Sequence, residues 1–526
     1  MRRDAGILVA ISAILFLTAL GARDLWNPNE PIYGEAVREM AARGEWLVPY
    51  VNGMPFGEKP ILFYWLARVA GVATFGVNEF SLRLPSALFG IAGTLLAWQL
   101  VLPYAGARRA RIAGLLFAST YMVFWGSRSV QMDLFVAVTT LGVIVPVTRV
   151  WDHGLSATRG WVLAGVAAGV GFLAKGPVTW ICPGLALALY AATTGRLREL
   201  FRLHVLLGGA VAVAVAAPWY VALAAGGHAD VLHEVLIRQN FTRFRNAWDH
   251  AEPFWYYLKY FWIDMAPWAW LVPLAIGLPG RDANERRLDR LAWCWIAGIV
   301  LFFSLSESKR SPYILPIAGG VAALASGVVV SWLEHRLPAR RAIALRGIAA
   351  VLGVLLLAGA FAAIAKLPAR YPEVAHAARA LGAVALLGGI AIAVAWRRRE
   401  ALGAAVLAAV AAFLLGAAAL ALPAVDVFKS ARPFCEEVSA RTPANAKLVG
   451  WRFWNWRAEY GYYLGRETSI VGEAEALRAL WNGPEPVIVV VEDPHLASLR
   501  EVLGDVDPLV ERAVGDNVAH AFFNGR

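Results

Sequence analysis

Apolar runs recur along most of the chain and are separated by short polar loops that are rich in arginine. An α-helix of roughly 20 apolar residues spans the hydrocarbon core of a bilayer. The pattern therefore predicts an all-α polytopic membrane protein with about thirteen transmembrane helices. The predicted helices lie near residues 5–22, 83–102, 110–127, 132–150, 161–174, 177–193, 203–223, 260–279, 290–305, 312–332, 346–366, 378–396 and 401–422.

The loops indicate the orientation. Arginine clusters such as Arg108 with Arg109 follow every second predicted helix, and positive loops mark the cytoplasmic side. The N-terminus is therefore predicted to be cytoplasmic, and the odd number of helices places the C-terminus outside. The shorter apolar stretch 60–76 holds Arg68 among aromatic residues, which predicts an interfacial helix in the first outer loop.

The tail has a different pattern. "VIVVVEDP" predicts a buried strand that ends in a turn, and "EAEALRALW" and "HLASLREVLG" predict amphipathic helices. We expect a membrane domain over residues 1–423 and a small α/β domain on the outer face over residues 424–526.

The composition supports this assignment, since 59% of the 526 residues are hydrophobic and only 17% are charged. The formal net charge of +11 comes mainly from arginines in the loops, where it sets topology, so we predict no nucleic-acid partner. The first apolar run lacks a clean signal-peptide cleavage site and is expected to be a retained helix. The sequence shows no soluble nucleotide-binding fingerprint, so no nucleotide cofactor is expected.

The stretch "NPNEPIYGEAVREM" lies on the predicted outer face and places Asn29 beside Glu30. One interpretation is a helix start at the membrane surface, with Asn29 as N-cap, Pro31 in the first turn and Glu30 complementing the helix dipole. The other is a helix N-terminus that presents a carboxylate to an attacking hydroxyl group as a general base. The stretch by itself allows both.

Basic residues also occur on the outer face, where the positive-inside rule disfavours them. In "SESKRSPYILP", Lys309 and Arg310 precede Tyr313 at the start of a predicted helix, a pattern that suits an anionic lipid phosphate. In "GEKP", Glu58 and Lys59 either anchor an aromatic helix at the interface or bind a metal and a phosphate, respectively.

Two further residues are weaker candidates. His250, in "AWDHAEPFWYY", is either a structural or surface residue or a metal ligand shared with Glu58, and no Cys/His spacing supports a closed zinc site. Asp133, in "SVQMD", is either half of a salt bridge at a helix end or part of a site. A divalent ion such as zinc, magnesium or manganese is the cofactor that Glu58 and His250 would bind.

Taken in order, these motifs resemble those of a known family. "RDLWNPNEPIYGEAVREM", "GEKPILFYWLA", "VQMDLF", "FLAKGP", "HAEPFWYY" and "FFSLSESKRSPYILP" are similar to the GT-C glycosyltransferases of bacteria, above all the ArnT-like aminoarabinose transferases of lipid A, which are related to protein O-mannosyltransferases. The resemblance covers about residues 20–330. The motifs are specific as an ordered set, although no single motif is specific by itself.

The resemblance implies a bacterial inner-membrane enzyme whose active site and C-terminal domain are periplasmic. Such an enzyme transfers a sugar, with inversion, from a polyprenyl-phosphate-linked donor such as undecaprenyl phosphate-sugar. The acceptor is lipid A, another cell-envelope glycan or protein, and membrane lipids are further partners.

The resemblance also implies site roles. It matches the family's acid pair with Asn29 and Glu30, a further acid with Asp133, and the lysine that contacts the donor phosphate with Lys59. The family's basic-aromatic segment matches Lys309 and Tyr313, and together with Arg310 these residues are predicted to bind the donor phosphate. The resemblance assigns a shared metal to Glu58 and His250.

Two positions depart from the family pattern. The family usually has aspartate at the position of Asn29 and often arginine at that of Ile32. Because an amide cannot serve as a general base, Glu30 or Asp133 takes the proton, or the acceptor is already nucleophilic, as a phosphate or carboxylate is. Asn29 also leaves a second hypothesis open, in which the chain is a catalytically silent relative that binds lipid or serves as an assembly subunit. A lipid or glycan transporter is disfavoured because the sequence shows no internal repeat.

Overall fold

Long apolar helices make up most of the computed structural model, which describes residues 2–242, 251–278 and 280–525. Contacts between residues divide the chain into two units. The first consists of Met1–Leu20, Glu58–Phe63 and Arg83–Ala421, and the second of Gly21–Gly57, Tyr64–Leu82 and Leu422–Arg526.

The α-helices up to residue 425 are Arg2–Leu17, Asn29–Arg43, Leu62–Ala73, Glu79–Ala118, Tyr121–Ser127, Asp133–His153, Ala157–Lys175, Val178–Thr193, Leu203–Ala225, Ala229–His233, Tyr256–Asp264, Val272–Ala275, Ala283–Leu305, Ala318–Leu333, Ala339–Phe361, Leu367–Arg370, Ala375–Val394, Arg399–Gly416 and Leu422–Ala424. Shorter 3₁₀-helices or π-helices are Leu197–Phe201, Glu234–Thr242, Trp268–Leu271, Ser311–Ile317, Ala362–Lys366, Pro372–Val374, Ala395–Arg397 and Ala417–Ala421.

Within the described part of the chain, nine helical segments are long and apolar enough to cross a membrane. This confirms a multi-pass membrane protein, while the number of thirteen helices stays a prediction. The predicted helices 83–102 and 110–127 meet in the segment Glu79–Ala118, which contains a break at Gly106 with φ 76°. Glycine tolerates this left-handed conformation, so the chain turns there between the two predicted spans.

The predicted span 260–279 is not one continuous helix. It consists of Tyr256–Asp264, Trp268–Leu271 and Val272–Ala275. The gap between the first two of these helices lies at residues 265–267, and Pro267 lacks the amide hydrogen that a continuous helix needs. Sequence patterning recognised the apolar run and overlooked this break.

Small residues bring neighbouring spanning helices together in the first unit. A Cβ atom added to Gly169 would meet the backbone oxygen of Ala212 at 2.7 Å, and one added to Gly165 would collide with the oxygen of Gly208. The helices Ala157–Lys175 and Leu203–Ala225 therefore pack backbone against backbone, as is common where helices associate within lipid.

The second unit contains a five-stranded sheet and a short hairpin. Its strands are β1 Tyr50–Val51, β2 Met54–Pro55, β3 Lys447–Trp451, β4 Thr468–Val471, β5 Val487–Glu492, β6 Val510–Val514 and β7 Asn517–Phe523. The sheet has the order β4-β3-β5-β7-β6, with β3 parallel to β4 and β5, and β7 antiparallel to β5 and β6. Its remaining helices are Asp426–Lys429, Arg432–Arg441, Glu459–Leu464, Ala474–Asn482 and Asp493–Leu503.

Both faces of this sheet are buried. Alternate residues of β5 point to opposite cores: Ile488 packs with Phe434 and Tyr460, and Val489 packs with Leu477 and Leu499. A strand covered on both sides reads as a continuous apolar run, which is why "VIVVVE" was recognisable in the sequence. The predicted small α/β domain is confirmed, although residues 422–526 form one unit with 21–57 and 64–82.

Candidate functional site

Asp133 and Lys175 form an ion pair in the first unit. Asp133 begins the helix Asp133–His153, and Lys175 ends the following helix, Ala157–Lys175. The two helices pack against each other and are joined by a short turn, so the start of one lies beside the end of the next. The Lys175 Nζ atom is 2.5 Å from Asp133 Oδ1. Each charge also complements the dipole of its own helix.

Further cations surround this pair. Arg310 and Lys59 both act electrostatically on Asp133, in addition to Lys175. The Lys175 ammonium lies 4.9 Å from the centre of the Tyr313 ring, and Tyr257 donates a hydrogen bond of 3.2 Å to the backbone oxygen of Arg310. Three cations thus act on one carboxylate. Their number makes this cluster, Lys59, Asp133, Lys175, Arg310 and Tyr313, suited to an anionic ligand.

Glu58 and Lys59 are in contact with each other. Lys59 Nζ donates to the Glu58 backbone oxygen at 3.1 Å and lies 4.0 Å from Glu58 Oε2. His250, the predicted partner of Glu58 in a metal site, lies outside the described residues. Among the residues that are described, no group of three or more His, Cys, Asp or Glu side chains is placed to hold a metal. The metal site therefore stays a prediction.

Lys309 makes contacts different from those of Arg310. Its buried ammonium donates to the backbone oxygen of Glu252 at 2.8 Å and to that of Ser306. Burial lowers the pKa of Lys309. These bonds fix the strand-like pairing of Ala251 with Ser308. The predicted contact of Lys309 with a donor phosphate stays a prediction, and the contacts present here are structural.

Asn29 and Glu30 belong to the second unit. The helix begins at Asn29 with Pro28 in the N-cap position, and no side chain caps it, so the predicted N-cap at Asn29 is displaced by one residue. Glu30 is buried and accepts hydrogen bonds from both terminal nitrogens of Arg23, at 2.6 and 3.0 Å. Both carboxylate oxygens are engaged, so the arrangement resembles a structural ion pair. The role of Glu30 as base stays a prediction.

Residues distant in sequence hold the loop before Asn29. Asp426 accepts hydrogen bonds from the Asp24 amide at 2.9 Å and from Trp26 Nε1 at 2.6 Å. Glu459, fully buried, accepts one from Asn27. Burial raises the pKa of Asp426 to about 6 and also raises that of Glu459. Sequence reasoning missed these contacts because nothing local signals a partner some 400 residues away.

The helix that starts at Asn29 also carries a buried acid–base pair. Arg38 donates to both oxygens of Glu35, each at 2.6 Å. Burial raises the pKa of Glu35 to about 7 despite this partner.

The chain is similar to several known proteins. Residues 58–221 match the family model described as dolichyl-phosphate-mannose-protein mannosyltransferase. An undecaprenyl phosphate-alpha-4-amino-4-deoxy-L-arabinose arabinosyl transferase of Pseudomonas aeruginosa strain LESB58 is 31% identical over 380 residues, which are 70% of this chain and 67% of that relative. The chain belongs to the ArnT-like family of GT-C glycosyltransferases.

Other family members show the extent of the similarity. The transferase of the same name from Pectobacterium atrosepticum is 30% identical over 341 residues, or 64% of this chain. The chain covers only 60% of that relative's length. The crystal structure of ArnT from Cupriavidus metallidurans bound to undecaprenyl phosphate has a TM-score of 0.83 at 24% identity, covering 98% of this chain and 97% of that one. This confirms the predicted GT-C fold.

Proposed function

We propose that this protein is a glycosyltransferase of the inner membrane that moves a sugar from an undecaprenyl-phosphate-linked donor to a periplasmic acceptor, with inversion. Its family membership supports the reaction class, and the names of its relatives make aminoarabinose the first sugar to test. Lipid A is the first acceptor to test. In this proposal the N-terminus is cytoplasmic, and the cluster around Asp133 faces the periplasm together with the C-terminal domain.

The observation that carries the proposal is the convergence of Lys59, Lys175 and Arg310 on Asp133. In the reaction, the bond between the anomeric carbon and the donor phosphate oxygen breaks as an acceptor oxygen attacks from the opposite face. The leaving phosphate then gains negative charge. Cations already in place around it stabilise that charge without reorganisation, which lowers the barrier. Lys59 and Arg310 bind this phosphate in our proposal, and Lys175 holds Asp133.

The acceptor is an oxygen that is already anionic, such as that of a phosphate group. Such a nucleophile carries no proton to remove, so the reaction needs no strong general base. Two observations favour this choice. Asn29 cannot accept a proton, and both oxygens of Glu30 are bound to Arg23. If the acceptor is instead a hydroxyl, Asp133 is the carboxylate that takes its proton.

Turnover by the purified protein in liposomes tests the proposal. Undecaprenyl phosphate-aminoarabinose and lipid A are supplied, and sugar transfer is measured by mass spectrometry. We expect the wild type to transfer the sugar, and Lys59→Ala to reduce kcat by about 10²–10³-fold, as removal of one preorganised donor does elsewhere. Lys366→Ala, the same change at an exposed lysine outside the cluster, is the control.

The same assay distinguishes a transferase from the catalytically silent relative that Asn29 suggests. A catalytically silent relative binds undecaprenyl phosphate but transfers no sugar from any lipid-linked donor. Donor binding without turnover across a panel of sugars and acceptors would therefore overturn the enzymatic proposal and leave a lipid-binding role.

A further inference from the structure

An apolar crevice lies in the first unit, away from the cluster around Asp133. Its volume is about 270 Å³, and its walls come from several spanning segments that are far apart in sequence. Leu116, Leu271, Trp332, Ile348 and Gly403 are among the residues that line it. None of the residues of the Asp133 cluster lines this crevice. Walls of this composition suit an apolar group such as an acyl chain.

Two opposite charges also line the crevice. Arg108 follows the break at Gly106, and Glu400 lies in the first turn of Arg399–Gly416. Their side chains form an ion pair of 2.8 Å and are 43% and 79% exposed. An exposed pair of this kind binds each partner weakly, so another pair of charges can replace it. A zwitterion presents the matching charges, with an anion for Arg108 and a cation for Glu400.

A tryptophan ring also lines the crevice. Trp332 is 1% exposed, so it forms part of the wall and leaves the space open. Tryptophan is also typical of the depth where lipid headgroups meet their chains.

We propose that this crevice binds one zwitterionic glycerophospholipid with the chemistry of phosphatidylethanolamine. One acyl chain fills the apolar crevice beside the Trp332 ring. The phosphate binds Arg108, and the ammonium binds Glu400. A lipid with a purely anionic headgroup satisfies Arg108 but leaves Glu400 facing negative charge. The site is separate from the proposed donor site and does not depend on the proposed reaction.

Gly403 offers a way to close the crevice. A Cβ atom added there meets only the Trp332 ring, at 3.8 Å, so a leucine side chain can grow into the space without displacing backbone. Gly347 provides the matched control. It does not line the crevice, and an added Cβ atom there has no neighbour within 4 Å.

The test is native mass spectrometry of the purified full-length protein. Detergent-stripped protein is incubated with equimolar synthetic phosphatidylethanolamine and phosphatidylglycerol that have identical acyl chains. We expect one retained phosphatidylethanolamine in the wild type and in Gly347→Leu, and loss of this lipid in Gly403→Leu. Glu400→Gln should abolish the preference between the two lipids.

Several results would overturn the proposal. Equal retention by wild type and Gly403→Leu places the lipid elsewhere. Retention of phosphatidylglycerol in preference to phosphatidylethanolamine contradicts the role of Glu400. If Gly403→Leu does not fold, Glu400→Gln decides alone, and an unchanged preference for phosphatidylethanolamine in that variant contradicts the proposed headgroup contact.

Discussion

The acid–base pairs of the two units differ in their charged surroundings. In the second unit both oxygens of Glu30 accept hydrogen bonds from the guanidinium of Arg23. In the first unit Asp133 meets Lys175 and is also acted on by Arg310 and Lys59. A bidentate ion pair fits a structural role, whereas several cations around one carboxylate suit an anionic ligand. The motif around Asn29 is more conspicuous in the sequence, but it is therefore the less convincing candidate for the catalytic centre.

The largest expected effect comes from removing the cation closest to Asp133. Lys175→Met leaves a carboxylate with little exposure and without its ion-pair partner, and it also removes one of the three cations. We expect sugar transfer to fall by at least about 10²-fold, as in other sites that lose a preorganised charge. Steady-state kinetics in liposomes measure this. Activity within threefold of wild type would place Lys175 outside the site.

Changes to the ion pair of Arg23 with Glu30 in the second unit should alter the stability of the fold rather than sugar transfer. Arg23→Met removes two charge-assisted hydrogen bonds from the buried Glu30, and breaking a buried ion pair typically costs about 3–5 kcal/mol in the free energy of unfolding. Combining it with Glu30→Gln also removes the carboxylate charge and should recover part of that loss. Thermal unfolding of the single and double variants measures the coupling. Loss of turnover in Glu30→Gln with undiminished stability and lipid binding would instead support Glu30 as a base.

The buried Glu35 predicts a pH effect on stability. Its pKa is raised from 4.5 to about 7, so the folded protein binds a proton that the unfolded chain has released between these values. Folding stability should therefore fall as pH rises from about 4.5 to about 7, by up to about 3 kcal/mol. Unfolding midpoints across this range measure the fall, and Glu35→Gln should flatten it. A slope that is unchanged in Glu35→Gln would assign the effect to another group.

The smallest effect is expected from restoring the acid at position 29. Because the proposed acceptor is already anionic, Asn29→Asp should change kcat by less than about threefold, well under the effect of gaining a general base. Single-turnover transfer to lipid A measures this. A rise of more than about 10²-fold, the usual minimum for general base catalysis, would show that the natural chain lacks a base it needs.

Much of the fold could be predicted from the sequence because bilayer thickness and strand alternation leave simple periodic signals. The run at β5 and the long helices are examples. The break at Pro267 was missed because an apolar run retains its composition when its backbone hydrogen bonds are interrupted.

The candidate site was harder to predict. Asp133, Lys59, Arg310 and Tyr313 were each recognised, but only the folded chain brings them together with Lys175. The partners of Glu30 and Asn27 were not recognised. Arg23 looks like any residue at a helix end, and Glu459 is remote in sequence. Charges that pair across a fold leave no local pattern in the sequence. Neither the ion pair of Glu30 with Arg23 nor the grouping of cations around Asp133 could therefore be predicted from the sequence.

Binding of undecaprenyl phosphate to purified protein tests the central claim most directly. The affinity is measured for wild type, Lys59→Ala, Arg310→Ala and the paired variant of Arg23→Met with Glu30→Gln. We predict that each change in the first unit weakens binding by about 10- to 100-fold, the effect of losing one charge-assisted hydrogen bond, while the paired variant binds like wild type. Unchanged affinity in Lys59→Ala and Arg310→Ala, together with lost affinity in the paired variant, would contradict the assignment of the phosphate site to the cluster around Asp133.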